Sequence, residues 1–279
     1  MFRWPSSLVP AYLGLPSASH PQVLHQLIPV HIPPLLRVHP PIVTPPDSSG
    51  RGRRCRILTS VAGQGHGNRW TRMVENGHRK GRLQARPVVG ISPEAAPPVG
   101  LRPLALGGAT PDGYLYIPAS SQDGRPAPLA VLLHGADEDA RDGLALLREH
   151  ADGARLILLA LSSRGPAWDL VVGRGRCGPD VAVIDRALEQ TFYHYAVDLA
   201  RVAMGGYSDG ASYALSLGIA NGDLFTHVLA FSPGFMAPPG QVGFPRIFVS
   251  HGTYDRWLPI GRCSRSIVPQ LQRAAYEVR

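Results

Sequence analysis

The stretch Val202-Ala-Met-Gly-Gly-Tyr-Ser-Asp-Gly-Ala-Ser-Tyr-Ala-Leu215 decides how this chain is read. Val202, Ala203 and Met204 form a short apolar run. It meets a serine set between glycines, and a helix over 208–220 follows, stopping at the helix-ending pair Asn221-Gly222. A strand that turns sharply into a helix holds the residue at the bend in a strained geometry and lifts its side chain clear of the sheet. Gly206 and Gly210, in the pattern G-x-S-x-G around Ser208, remove the side chains that would keep strand and helix apart. Taken alone the pattern is weak, because a chain with 31 glycines makes ordinary Gly-rich turns easily. The strand before it and the helix after it give it meaning.

The same texture recurs on either side. Leu129-Ala-Val-Leu-Leu133, Leu156-Ile-Leu-Leu-Ala-Leu161, "THVLAFSPGF" and "RIFVSHGTYD" contain apolar runs of the kind found in strands buried on both faces. Between them lie helical segments. One covers 138–151 with Leu144, Leu146 and Leu147. Another opens at Pro179-Asp180 with the apolar face Val181, Ile184, Leu188 and Phe192. Ile267, Leu271 and Ala274 mark a final helix, and "LRPLALGGATPDGYLYIPAS" reads as a β-hairpin. Strands alternating with helices imply an α/β fold, a mostly parallel central sheet with helices on both faces.

A serine at such a bend needs partners to act as a nucleophile. Donors for a developing oxyanion are expected at the backbone N–H of Asp209, the next residue, and of Ala136, in the loop "HGAD" after the strand ending at Leu133. The orienting acid is expected after the penultimate strand, where Asp255 stands; as a bare aspartate it would be a surface turn residue. The His134-Gly135 pair is placed to shape its loop rather than to move protons.

Composition bounds the rest. The net charge of +8 is uneven: residues 1–95 hold 12 Lys and Arg against 3 acids, while residues 96–279 hold 16 against 17. The main domain therefore carries no basic signature of nucleic-acid binding. Cys55, Cys177 and Cys263 match neither a metal spacing nor a disulfide framework, so no metal or cofactor is implied and a cytoplasmic location is the default. No apolar run approaches the roughly 18 residues of a transmembrane helix. The Pro- and Arg-rich stretch 1–95, with "HIPPLLRVHPPIVTPP" and "RGRRCR", shows no helical or strand period. It reads as a disordered leader, with an organellar transit peptide as the alternative. The domain proper is expected over 96–279.

Together, "APLAVLLHG", "GYSDGASYALSLGIANGDLF", "FSPGF" and "VSHGTYDRWLPI" resemble the small lidless serine esterases of the α/β-hydrolase fold, closest to the phospholipase/carboxylesterase and polyhydroxybutyrate-depolymerase-like branch. The resemblance covers about 98–279. It implies a hydrolase of small-molecule carboxylic esters, with Ser208 as nucleophile, Asp255 as acid, and oxyanion donors at Ala136 and Asp209. By the same likeness "RGPAWDL" lines the cleft with Trp168 as a wall, although Trp168 equally fits plain core. The family's base is a histidine after the last strand. None of the eleven histidines here follows Asp255, and His251 sits only four residues before it. Tyr276 and Val278 begin an alternation suited to a last strand. The expectation is thus a domain whose last strand and helix, and with them the base, are missing from the 279 residues. The alternative is a catalytically dead relic or binding module that kept the fold.

Overall fold

The computed structural model describes residues 69–87, 98–107, 111–123, 125–173 and 176–279. Seven strands form one sheet: β1 (Gly100–Leu104), β2 (Gly113–Ile117), β3 (Ala127–Leu133), β4 (Ile157–Leu161), β5 (Val197–Tyr207), β6 (His227–Phe231) and β7 (Arg246–Ser250). Their spatial order is β1-β2-β4-β3-β5-β6-β7. The β1–β2 hairpin is antiparallel and joins β4 antiparallel; every other pairing is parallel. Beyond β7 the chain begins to pair again. Val278 bridges Ile247 in parallel, and the N–H groups of Ile247 and Val249 donate to the carbonyls of Glu277 and Arg279.

Period-2 alternation along the buried strands divides the core between two faces. Leu129, Val131, Leu133, Leu159, Leu161, Val202 and Met204 pack toward α5 (Pro179–His194) and α6 (Asp209–Ala220). On that same face Val228, Ala230 and Ile247 meet α7 (Ser264–Arg273). Ala130, Leu132, Leu158 and Ala160 face the opposite way, toward α2 (Ala140–Ala145) and α3 (Arg148–Ala154). A short α4 (Asp169–Val172) leads into α5. The single helix expected over 138–151 is two, broken at Leu146-Leu147. Leu147 buries its side chain in the core, with a backbone at φ −130° and ψ 3° that leaves the helix.

Residues 69–87 fall inside the segment assigned to a leader, yet α1 (Arg69–Arg79) and the strap that follows it pack on the domain. Leu83 and Ala85 enter the main core. Buried Asp185 on α5 accepts the N–H of Gln84 (2.8 Å) and of Ala85 (2.7 Å), and pairs with His78 Nε2 (2.7 Å). Asn221, at the end of α6, donates to Gly81 O and accepts Leu83 N–H. Arg82 and Arg86 both pair with Asp223, whose carboxyl is held down at about 2 against the penalty of its partial burial. The strap carries no internal period because its partners are these distant polar groups. The Pro-rich part before residue 69 lies outside the described residues.

Candidate active site

Ser208 sits between β5 and α6 with φ 53° and ψ −115°, a backbone conformation rare for any L-residue other than glycine. Its N–H donates to Phe231 O at 2.9 Å, which ties the bend to the end of β6. The flanking glycines are required by contact. A Cβ at Gly206 would lie 2.8 Å from Leu133 O, and one at Gly210 only 2.6 Å from Leu133 C; both fall under the 3.0 Å that real Cβ atoms respect. The first turn of α6 therefore rests directly on the backbone that ends β3.

That approach brings Asp209 against the loop 134–138. Burial raises the Asp209 carboxyl, and the nearby Asp137 charge raises it further. Ala136 is exposed at the tip of the loop. Among the described residues, neither the N–H of Ala136 nor that of Asp209 has a backbone acceptor. The loop is braced on all sides. Gly135 N–H donates to Glu138 at 2.8 Å, and Asp137, at φ 58°, donates its N–H to Pro166 O at 2.9 Å.

Trp168 is fully buried. Its Nε1–H donates to His134 O at 2.9 Å, and its ring packs against His134 and Tyr213 at 5.0 and 5.3 Å. The indole thus packs beneath the 134–138 loop.

Asp255 stands in the loop between β7 and α7. Its Oδ1 accepts the N–H of Trp257 (2.9 Å) and of Leu258 (2.8 Å), the side-chain-to-backbone turn typical of aspartate. Leu258 is buried against Gly234, and Gly234 N–H donates to Ser212 Oγ, one turn along α6 from Ser208. The Asp255 charge is also near enough to Tyr207 to raise its phenol, after burial, the larger cause. The loops that carry Ser208 and Asp255 therefore meet at the C-terminal edge of the sheet.

Among the described residues, the histidines near this edge are already engaged. His251 sets Nε2 2.6 Å from Leu258 O and Nδ1 2.7 Å from Ser264 Oγ, so it donates to the carbonyl and accepts from the hydroxyl; Asp255 Oδ2 is 3.5 Å away. His134 donates from Nδ1 to Gly135 O and accepts Ser163 N–H at Nε2, while burial lowers its pKa. Both are tied down by these contacts. His227 opens β6 with a buried Nε2 that has no partner among the described residues.

A cleft of about 560 Å³, lined by Arg125, Arg155, Leu199 and Arg201, is formed where β3 and β5 begin. It lies at the opposite end of those parallel strands from Ser208. Among the described residues no three His, Cys, Asp or Glu are grouped to hold a metal ion, and no helix is long and apolar enough to cross a membrane.

The fold places the chain among known architectures. No protein-family model matches it, and no curated protein is recognisably similar in sequence. Among solved structures it is similar to esterase PE8, with 24% identity, 60% of this chain and 86% of that one covered, and a TM-score of 0.50. A ferulic acid esterase from Anaeromyces mucronatus follows at 16% identity, 70% and 84% coverage and a TM-score of 0.48. The carboxylesterase of Bacillus cereus aligns at 19%, 59% and 81%, with 0.44. The chain has the α/β-hydrolase fold, a mostly parallel sheet layered between helices.

Proposed function

We propose that this protein hydrolyses carboxylic esters through Ser208. The observation that carries the proposal is the Ser208 backbone at φ 53°, a strained bend flanked by glycines that let α6 rest against the end of β3. Ser208 Oγ attacks the ester carbonyl carbon and its proton passes to a base. The carbonyl oxygen becomes an oxyanion received by the N–H groups of Ala136 and Asp209. Collapse of this intermediate expels the alcohol, which takes the proton, and water releases the acid from the acyl-enzyme by the same steps. Asp255 orients the base. The base is a histidine other than His134 and His251, both of which are committed elsewhere. No metal or organic cofactor takes part, and the substrate is a small-molecule ester.

The engaged histidines also favour a second reading, a non-catalytic module of the same fold. One experiment separates the two. The protein, expressed to its natural stop codon, is treated with a fluorophosphonate and assayed on short-chain p-nitrophenyl esters. Labelling that Ser208→Ala abolishes, with turnover reduced about 10⁶-fold, supports the hydrolase. Absence of both in the folded wild type establishes the non-catalytic module.

A further inference from the structure

The acid loop has an outer side that catalysis does not use. Its inner side is pinned: Asp255 holds two backbone N–H groups, Leu258 is buried, and His251 clamps Leu258 O to Ser264. With the backbone so fixed, Tyr254 is left 93% exposed, more than any other large apolar side chain among the described residues, and Trp257 53%. Exposed Pro259 and half-exposed Ile260 continue the patch. Arg256, Arg262 and Arg265 surround it, all exposed, and among the described residues none of the three has an ion pair. The stretch 253–265 holds three arginines against the single Asp255, within the region 96–279, which is otherwise close to neutral.

We infer that this loop docks the enzyme on an anionic lipid surface. Tyr and Trp, each an apolar ring with a polar tip, settle at the headgroup level of a bilayer, and arginines beside them meet lipid phosphates. Proline and isoleucine add apolar depth that a stacked nucleobase would not use, which favours a bilayer over single-stranded RNA. The placement rests on the proposed function. Docking through the loop that carries Asp255 brings the edge holding Ser208 to the membrane, so the substrates it implies are esters with acyl chains long enough to reside there.

The test is co-sedimentation of the full-length protein with vesicles of phosphatidylcholine alone and of phosphatidylcholine with about one-third phosphatidylglycerol. Binding tighter on the anionic vesicles is expected, with each of Arg256→Gln, Arg262→Gln and Arg265→Gln weakening it about fivefold and the triple variant about 10²-fold. Tyr254→Ser with Trp257→Ser lowers binding to both vesicle types, and Trp257→Phe restores most of it. Melting temperatures are followed in parallel, because these positions are exposed and the single variants keep the wild-type fold. Unchanged anionic binding in the folded triple variant overturns the inference and assigns the binding to the basic N-terminal stretch. Displacement of the protein from vesicles by single-stranded RNA, lost in the triple variant, overturns it in favour of RNA. Sedimentation reads no turnover, so a protein that docks but fails to label at Ser208 sinks only the esterase reading.

Discussion

Replacing Gly210 by alanine tests the joint on which the site depends. The added Cβ would sit 2.6 Å from Leu133 C, with the Leu133 and His134 carbonyl oxygens closer still, where at least 3.0 Å is needed. These neighbours are backbone, so no side chain can swing away. The start of α6 must retreat from the end of β3 by about 0.5–1 Å, at a cost of about 1–3 kcal/mol in stability. In a domain of this size that lowers the melting temperature by about 2–10 °C. The same retreat carries Asp209 N–H away from Ala136 N–H, and a misplacement near 1 Å costs about 10²-fold in rate. Thermal unfolding and the rate of fluorophosphonate labelling at Ser208 measure the two effects separately. Gly153→Ala is the control: it lies inside α3 with nothing within 4 Å of the new Cβ, and it should raise stability by about 0.5–1 kcal/mol with labelling unchanged. A Gly210→Ala protein that melts and labels like wild type would refute the close approach of helix and strand.

Two further outcomes follow from buried carboxyls. Asp185→Ala strips the acceptor from Gln84 and Ala85 N–H and should cost about 2–4 kcal/mol, with the amides of 83–86 the first to exchange; exchange as slow as wild type would show the strap is held otherwise. Asp169 is pushed up to about 6 by burial, then by the Asp180 charge. Its proton is thus held more tightly in the folded state than at the unfolded 3.8, so its stabilising contribution is complete below about 3.8 and is lost as pH rises through about 6. Partial exposure reduces that loss from an upper bound near 3 kcal/mol to about 1. Asp169→Asn, which can still accept Asp180 N–H, should flatten the stability profile between about pH 4 and 7 in denaturant titrations. An unaltered slope would mean another group sets it.

The strands could be read from sequence because strands buried on both faces leave unbroken apolar runs, and α5 because Val181, Ile184, Leu188 and Phe192 repeat at helical spacing. The elbow was legible because glycine at 206 and 210 answers to local geometry. What escaped depends on distant partners. Asp185 looks like any solvated position of a helix until the strap folds over it, about a hundred residues away in sequence. Asn221 reads as a helix stop, and is one, yet its amide also fastens Gly81 and Leu83. Trp168 could not be divided between cleft and core, because the acceptor of its N–H is a backbone carbonyl, invisible in a list of side chains. His227 sits beside Thr226 in a strand whose apolar run begins only afterwards, which conceals its burial.

The positive φ of Ser208 also bears on how such a protein ages. An L-residue held there costs of order 1 kcal/mol or more, a burden that glycine escapes. Ser208→Gly should therefore melt above Ser208→Ala although both lack the hydroxyl. A lineage with no further use for the hydroxyl would find stability one codon change away, since every AGY serine codon becomes glycine by a single substitution. The bend thus works as a one-way ratchet: once serine has left it, folding stability opposes its return, and only chemistry can call it back.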